Sequence, residues 1–350
     1  MDKATDGVIL SRVIDAESAG QRLDGVLRTL CPDWSRSMVQ RLHLEGLVLL
    51  NGRPARAAQR IRGGERLEVL PASTPALAPP DLSVLYEDDI LLAVDKPSGF
   101  PAHPLRAGET GTVLDGMAQL CPAVLLSGEQ SSGRLTGADD GAGLEARQRS
   151  LEGGLVHRLD NDTSGVLLAA KSEADRQALR TALEDPAACK EYLAIVHGIL
   201  DRECDISFPV AHAAGDATRS VAVFPEGWTI PPGAARVRSR FRGRPRDAES
   251  YVVPLEHASG CTLVRVRVHK AVTHQVRVHM AALGHPIAGD PRYLPAGWPA
   301  RTPRLALHAS LIMFRHPRSG EMLHITAPWA DDLARAWREM GGRFKEHDNS

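Results

Sequence analysis

No apolar stretch in the chain approaches the roughly 20 residues that a bilayer-spanning helix needs, so a helical membrane protein is not expected. The five cysteines, Cys31, Cys121, Cys189, Cys204 and Cys261, form no C-x-x-C pair. The first residues lack the basic start and apolar core of a secretory leader. A reducing cytoplasm is therefore the expected setting. The chain also lacks an H-E-x-x-H segment and any Cys/His cluster. His269, His274 and His279 step by five residues, which puts successive side chains on opposite strand faces or about 140° apart around a helix. A histidine-bound metal hydrolase is disfavoured on that spacing, and neither a metal nor a cofactor is expected.

At 350 residues, 43% hydrophobic and 24% charged, the chain can bury a sizeable core in one large or two unequal domains. Its net charge of -1 excludes no partner, because a global sum hides local segregation.

Residues 20 to 70 show such segregation. They hold nine arginines (Arg22, Arg28, Arg36, Arg41, Arg53, Arg56, Arg60, Arg62 and Arg66), no lysine and five acids, a local excess of +4. Leu23, Val26, Leu27 and Leu30 follow helical spacing. Ser35 is placed to cap a second helix through Met38, Val39 and Leu42, stopped by Gly46. Asn51-Gly52 predicts a tight hairpin after Val48-Leu49-Leu50, and Arg66 to Leu70 alternates as a closing strand. Charge runs are more often solvated faces. An arginine-only choice points instead to phosphate and base recognition, through bidentate pairing and stacking. Arg22-Leu23-Asp24, Ser35-Arg36-Ser37 and Leu50-Asn51-Gly52-Arg53 resemble the RNA-binding domain first described in the fourth ribosomal small-subunit protein. Arg22, Arg36, Arg41 and Arg53 are its candidate RNA contacts.

Residues 1–19 are read as an N-terminal extension, and the proline-rich stretch 71–81 as a spacer. The main domain is assigned to 82–330, with a biased insertion near 127–154 expected to be mobile. Residues 331–350 are read as a C-terminal helix and tail. Strand signals dominate the main domain at 90–94, 166–170, 192–196 and 263–268. Helices are expected over 173–183, capped by Ser172, and over 274–283, capped by Thr273. The expected class is α+β, with a mixed, largely antiparallel sheet and flanking helices.

Leu155-Val156 leads into His157-Arg158-Leu159-Asp160, and Asn161 to Gly165 turns the chain into the apolar strand that follows. On spacing alone, Asp160, Asp162, Thr163 and Ser164 are more often turn caps than catalysts. The whole string His-Arg-Leu-Asp-x-x-Thr-Ser-Gly, however, resembles the signature of the RluA-type pseudouridine synthases. Asp95-Lys96-Pro97-Ser98-Gly99, Lys190-Glu191-Tyr192, Thr273-His274-Gln275-Val276-Arg277-Val278-His279, Gly284 to Pro291 and Leu307-His308-Ala309 follow in the family's order.

The resemblance implies isomerisation of uridine within RNA, with Asp160 as the carboxylate acting on the nucleoside. Arg277 would be the cation that keeps it ionised, and Tyr192 the ring lying against the uracil. Arg158 would fill the gap left by the extruded base. His157 either contacts phosphate or satisfies a backbone group. Arg265 and Arg267, on one face of the strand 263–268, are further phosphate candidates. Ribosomal RNA, most of all that of the large subunit, is the expected substrate class, with transfer RNA second. A noncatalytic RNA-binding or ribosome-assembly protein of the same fold is the alternative. Two features depart from the family: Ala271-Val272, where Gly-Arg is usual, and the run Arg236-Val-Arg-Ser-Arg-Phe-Arg-Gly-Arg-Pro-Arg246, which would line a strand face or form a basic loop able to touch RNA.

Overall fold

The computed structural model describes residues 10–32, 34, 39, 42–43, 46–70, 78–104, 109–126, 151–216 and 218–344. It divides into two compact units, Met1–Pro75 and Ala76–Ser350.

In the first unit, helix α1 (Leu23–Leu30) forms on the predicted spacing and buries Leu23, Val26 and Leu27. Strands β1 (Leu10–Val13), β2 (Val48–Leu50), β3 (Arg53–Pro54) and β4 (Arg66–Val69) make an antiparallel sheet in the order β1-β4-β2-β3. The hairpin between β2 and β3 turns on Asn51 at φ 50° and Gly52 at φ 73°. Positive φ at both central positions is the geometry that matches the strand twist, and an Asn-Gly pair supplies it at low cost. β1 falls within what the sequence suggested was an extension. Its alternation is too weak to read alone, with one half-buried residue in four. Ser35, Arg36 and Arg41 lie outside the described residues, so the predicted second helix is not described as an element.

The second unit is α+β, built on a nine-stranded, mostly antiparallel sheet. Its strands are β5 (Ser83–Glu87), β6 (Leu91–Lys96), β7 (Ser164–Ala170), β8 (Cys189–His197), β9 (Cys204–Ile206), β13 (Ser250–Ala258), β14 (Cys261–Val268), β15 (Leu307–Arg315) and β16 (Met322–Thr326). They run β5-β6-β7-β15-β8-β14-β13-β9, with β16 paired to β15, and only β7 with β15 is parallel. A separate small sheet, β11-β10-β12, holds β10 (Val210–Ala213), β11 (Ser220–Ala222) and β12 (Phe241–Arg246).

The central strands read as unbroken apolar runs because both faces are covered. Leu92, Val94, Leu167 and Ala169 face one core, while Leu91, Ala93, Val166 and Leu168 face another closed by Leu179 and Leu183. Those two leucines come from α3 (Glu173–Glu184), whose N-cap Ser172 accepts from the Asp175 amide as expected. Helix α2 (Val113–Leu120) is capped by Thr112, and α5 (Asp331–Glu339) buries Leu333, Ala336 and Trp337. No helix among the described residues is long and apolar enough to cross a membrane. Residues 127–150 of the expected insertion lie outside the described residues.

α4 (Gln275–Ala282) is buried on every side, as a helix inside a core must be. Its N-cap is His274, at φ 61° and without a side-chain cap bond, rather than the predicted Thr273. The entry is held instead by Gln275, whose side chain accepts from the Val272 amide and donates to Glu249 O and Ser250 Oγ. Val272 thus has a structural place at the departure from the family pattern, while Ala271 beside it is exposed.

Candidate active site

Gln275 and His279 are four residues apart and so share one face of α4. His279 bridges Ser250 Oγ and Phe208 O, both at 2.9 Å, so this face is bolted to β13 and the segment before β10. Arg277, two residues from each, is turned to the other side of the helix. There its Nε and Nη2 donate to the two oxygens of Asp290 at 2.8 and 2.9 Å. Its remaining Nη1 donates to Asp160 Oδ2 at 2.6 Å. Asp290 is fully buried, Arg277 is 5% exposed and Asp160 is 25% exposed. Burial opposes charge on Arg277, but Asp290 and then Asp160 outweigh it and hold its pKa above the ordinary arginine value.

Asp290 is oriented in turn by the amides of Arg292 and Tyr293, which donate to its Oδ1. The preceding Gly289 is at φ 68°, where a Cβ would sit 2.0 Å from Arg304 O. Only glycine brings the chain that close.

The Asp160 loop is held from beneath by the family-like Asp95-Lys96-Pro97-Ser98-Gly99 segment. Lys96, with no exposed surface, donates to the carbonyls of Pro97, Asn161 and Thr163 at 2.8 to 3.0 Å. Burial pulls its pKa down to about 7, while Asp160 and Asp162 favour its charge. Three acceptors match the three N–H groups of an ammonium. Ser98 Oγ donates to Asp162 O, and the Gly99 amide to Asn161 O. Asp162 takes part through its carbonyl, not as a second acid. Behind the loop, Arg304 donates to Ser164 Oγ and pairs with Asp332, while Ser164 Oγ and His308 Nδ1 lie 2.9 Å apart. Gly165, at φ 111°, permits the close β7–β15 approach, since a Cβ there would lie 2.2 Å from Ala309 O. An open cavity of about 480 Å³ lies on this side, lined by Lys96, Ser98, Ser164, Arg304 and Asp332; Asp160, Tyr192 and Arg277 are not part of its wall.

Tyr192, on β8, is 7% exposed. Burial, and then the charge of Asp160, raise its phenol pKa, so the hydroxyl stays protonated at neutral pH. His274 is the third group near the carboxylate, with Nε2 3.7 Å from Asp160 Oδ2. Burial lowers its pKa against the pull of Asp160. Its Nδ1 lies 2.8 Å from Tyr293 Oη, which already accepts from the Ser220 amide. The carboxylate 3.7 Å from Nε2 favours the tautomer with its proton on Nε2, in which Nδ1 accepts from Tyr293, whose phenol stays protonated because burial pushes its pKa up to about 12. The Tyr293 ring also lies under the Arg277 guanidinium, 5.1 Å from its centroid.

The structure therefore brings together Asp160, Arg277 and Tyr192 from segments widely separated in sequence. Arg158, two residues from Asp160, is exposed, with its guanidinium 3.5 Å from Glu152. His157 turns inward and accepts from the Leu168 amide at 3.2 Å. Burial first, and then Lys190, push its pKa well below the ordinary histidine value. Of the two uses open to it, the internal one is present, and a neutral ring committed to a backbone amide is poorly suited to phosphate. Arg265 and Arg267 both pair with Glu191 at 2.9 Å, so one carboxylate already occupies the cations proposed for phosphate. In the first unit, Arg22 pairs with Asp24, and Arg53 is exposed on β3. Among the described residues no group of His, Cys, Asp and Glu could hold a metal ion. His269 goes to Asp185 O, His274 to Tyr293 and His279 to Ser250 and Phe208.

Asp290, Lys96 and Tyr293 were not singled out from sequence, and His274 was considered only as a disfavoured metal ligand. Asp290, Lys96 and His274 stand inside the segments that resemble the family, which was the available signal. Tyr293 has none, because an aromatic two residues beyond a Gly-Asp-Pro turn reads as core.

The site is thus a partly exposed aspartate held by a buried guanidinium that a second, buried carboxylate fixes in place. The RNA pseudouridylate synthase family matches residues 90–282. The chain belongs to that family and is an enzyme of that class. It is 34% identical to the ribosomal large subunit pseudouridine synthase D of Xanthomonas campestris, over 97% of this chain and 96% of that one. It is 32% identical to the uncharacterised RNA pseudouridine synthase YlyB of Bacillus subtilis, over 91% and 93%. Its fold resembles the solved structure of human RNA pseudouridylate synthase domain containing 4, with TM-score 0.53 and 19% identity over 75% of this chain and 95% of that one.

Proposed function

We propose that this chain converts uridine in large-subunit ribosomal RNA to pseudouridine, with Asp160 as the reacting carboxylate. The observation that carries the reading is the Arg277 guanidinium. It is locked on two sides by buried Asp290 and offers its last edge to Asp160 at 2.6 Å. A cation so fixed costs no reorganisation during reaction and favours one position of the carboxylate. The relatives named for the large ribosomal subunit support the substrate class.

The isomerisation breaks the C1′–N1 bond and forms a C1′–C5 bond. The proton leaves C5 and one is regained at N1, so no electrons are exchanged with a partner. Asp160 acts on the ribose, either as nucleophile or as base toward a sugar proton. Arg277 and His274 both approach Oδ2, which leaves Oδ1 for the sugar. Tyr192 supplies an apolar wall for the uracil, and its protonated phenol is a donor rather than a base at neutral pH. The target base must leave its stack to reach the loop, and exposed Arg158 is placed to brace the vacated space. The N-terminal unit, with its arginine excess and its Asn-Gly hairpin, serves as an RNA-binding module.

The test is pseudouridine mapping of a large-subunit RNA transcript incubated with the purified protein and with Asp160→Asn. New pseudouridine with the first and none with the second supports the reading. Bound but unmodified RNA with both would make the chain a noncatalytic RNA-binding protein.

A further inference from the structure

Eight arginines of the second unit are held in internal ion pairs. Arg158 and Arg180 pair with Glu152, Arg176 with Glu173, Arg265 and Arg267 with Glu191, Arg277 with Asp160 and Asp290, Arg304 with Asp332 and Arg318 with Asp175. The run from Arg236 to Arg246 is different. It holds six arginines and no acid. Arg238, Arg240, Arg242, Arg244 and Arg246 are all exposed.

The segment is nevertheless well anchored. A 3-10 turn, Pro232–Arg236, packs against α4, where Gly233 meets Gly284 too closely to admit a Cβ. Ala234 and Val237 are fully buried. β12 then pairs with β10, while its other edge has no strand partner in the small sheet. Gly243, at φ 74°, sits in the register shift of the β10–β12 pairing. Phe241, in the same strand, is 43% exposed. The sheet is bonded to the active site through the Ser220 amide, which donates to Tyr293 Oη, which in turn donates to His274.

A charge on an edge strand commonly serves only to prevent strand-to-strand aggregation. One or two charges achieve that. Six guanidiniums without an acid repel one another and gain from a polyanion, where each phosphate contact also releases a condensed counterion. Guanidinium forks fit phosphate oxygens bidentately, and an exposed ring such as Phe241 offers a base a stacking face.

We propose that segment 236–246, displayed along the edge of β12, is a docking surface for the RNA backbone flanking the target uridine. It is separate from the N-terminal unit and from the Asp160 loop. The proposal rests on RNA being the substrate. It places a salt-sensitive anchor on the same body as the catalytic groups, so RNA gripped there is held against the unit that carries Asp160.

The experiment measures binding of a labelled RNA hairpin with a uridine-containing loop to the full-length protein across a potassium chloride series. It compares wild type, the triple variant Arg242→Gln, Arg244→Gln, Arg246→Gln, and the triple lysine variant at the same positions, with thermal melting to check folding. The expected result is a log K against log salt slope reduced by about 2 to 3 in the glutamine variant and restored by lysine. An unchanged slope in the glutamine variant overturns the proposal, whether or not that variant aggregates more readily. So does loss of binding to polyglutamate with RNA binding intact, which would assign the edge to an acidic protein. Wild-type binding of normal salt slope without pseudouridine formation would contradict the proposed activity and leave this surface standing.

Discussion

Arg277 reaches Asp160 with only one of its nitrogens; its other two donors are given to Asp290, which is fully buried. Two carboxylates therefore share one guanidinium, and the invisible partner in the protein interior decides where the visible one can stand.

Removing Asp290 should accordingly damage more than stability. Breaking one partner out of a buried ion pair costs about 3 to 5 kcal/mol, and the freed guanidinium would collapse fully onto Asp160. Asp290→Asn keeps the shape and loses the charge. Its unfolding free energy in urea should fall by a large part of that range. Its single-turnover rate should drop by about a hundredfold at saturating RNA. A stable Asp290→Asn enzyme with normal turnover would show that the clamp is dispensable.

Lys96→Met takes the ammonium from the carbonyls of Pro97 and Thr163 and leaves Asn161 O with the Gly99 amide alone, each buried acceptor left unmet costing about 1 to 3 kcal/mol. RNA affinity should change little, because Lys96 has no exposed surface. The single-turnover rate should fall sharply as the Asp160 loop loosens. Equal losses in affinity and rate would contradict a positioning role.

His274 and Tyr293 should behave as a unit. Tyr293→Phe removes the hydroxyl that keeps the His274 proton on Nε2, and His274→Leu removes the ring. The double variant should be little worse in turnover than His274→Leu alone. Additive losses in this double-mutant cycle would show that the two act independently.

Acid stability carries a signature of the buried histidines. His279 and His308, with no exposed surface, are held down to about 4 by burial. Unfolded imidazoles near 6.5 bind protons that the folded ones refuse. The stability they contribute is therefore complete above about pH 6.5 and lost as pH falls toward about 4, on the order of 3 kcal/mol for each. Urea unfolding across that window should show the loss, and His308→Asn should remove about half of it. A pH-independent midpoint between 4 and 6.5 would contradict the assignment.

Much of the second unit was readable because both faces of its sheet are covered, so that β6, β7 and the second half of β8 appear as apolar runs, while β14 shows apolar residues alternating with Arg265 and Arg267. Asp160, Arg277 and Tyr192 were legible through the strings around them; no local rule brings residues 160, 192 and 277 together. That convergence depends on the parallel β7–β15 contact and on the face of α4, which are set by long-range packing. β1 was missed because an edge strand with three exposed residues has little alternation to show. The His274 cap was missed because a left-handed histidine is dictated by Gln275 binding across to Ser250, not by propensity. Arg265 and Arg267 were placed on the correct strand, but the carboxylate that takes them, Glu191, comes from its neighbour β8.

The most direct test of the central claim is chemical mapping of pseudouridine in large-subunit ribosomal RNA from cells lacking the protein, and from the same cells given back wild type or Asp160→Asn. The account predicts that at least one site disappears on deletion, returns with wild type and stays absent with Asp160→Asn. Restoration of that site by Asp160→Asn, or equal modification in all the strains, would contradict it.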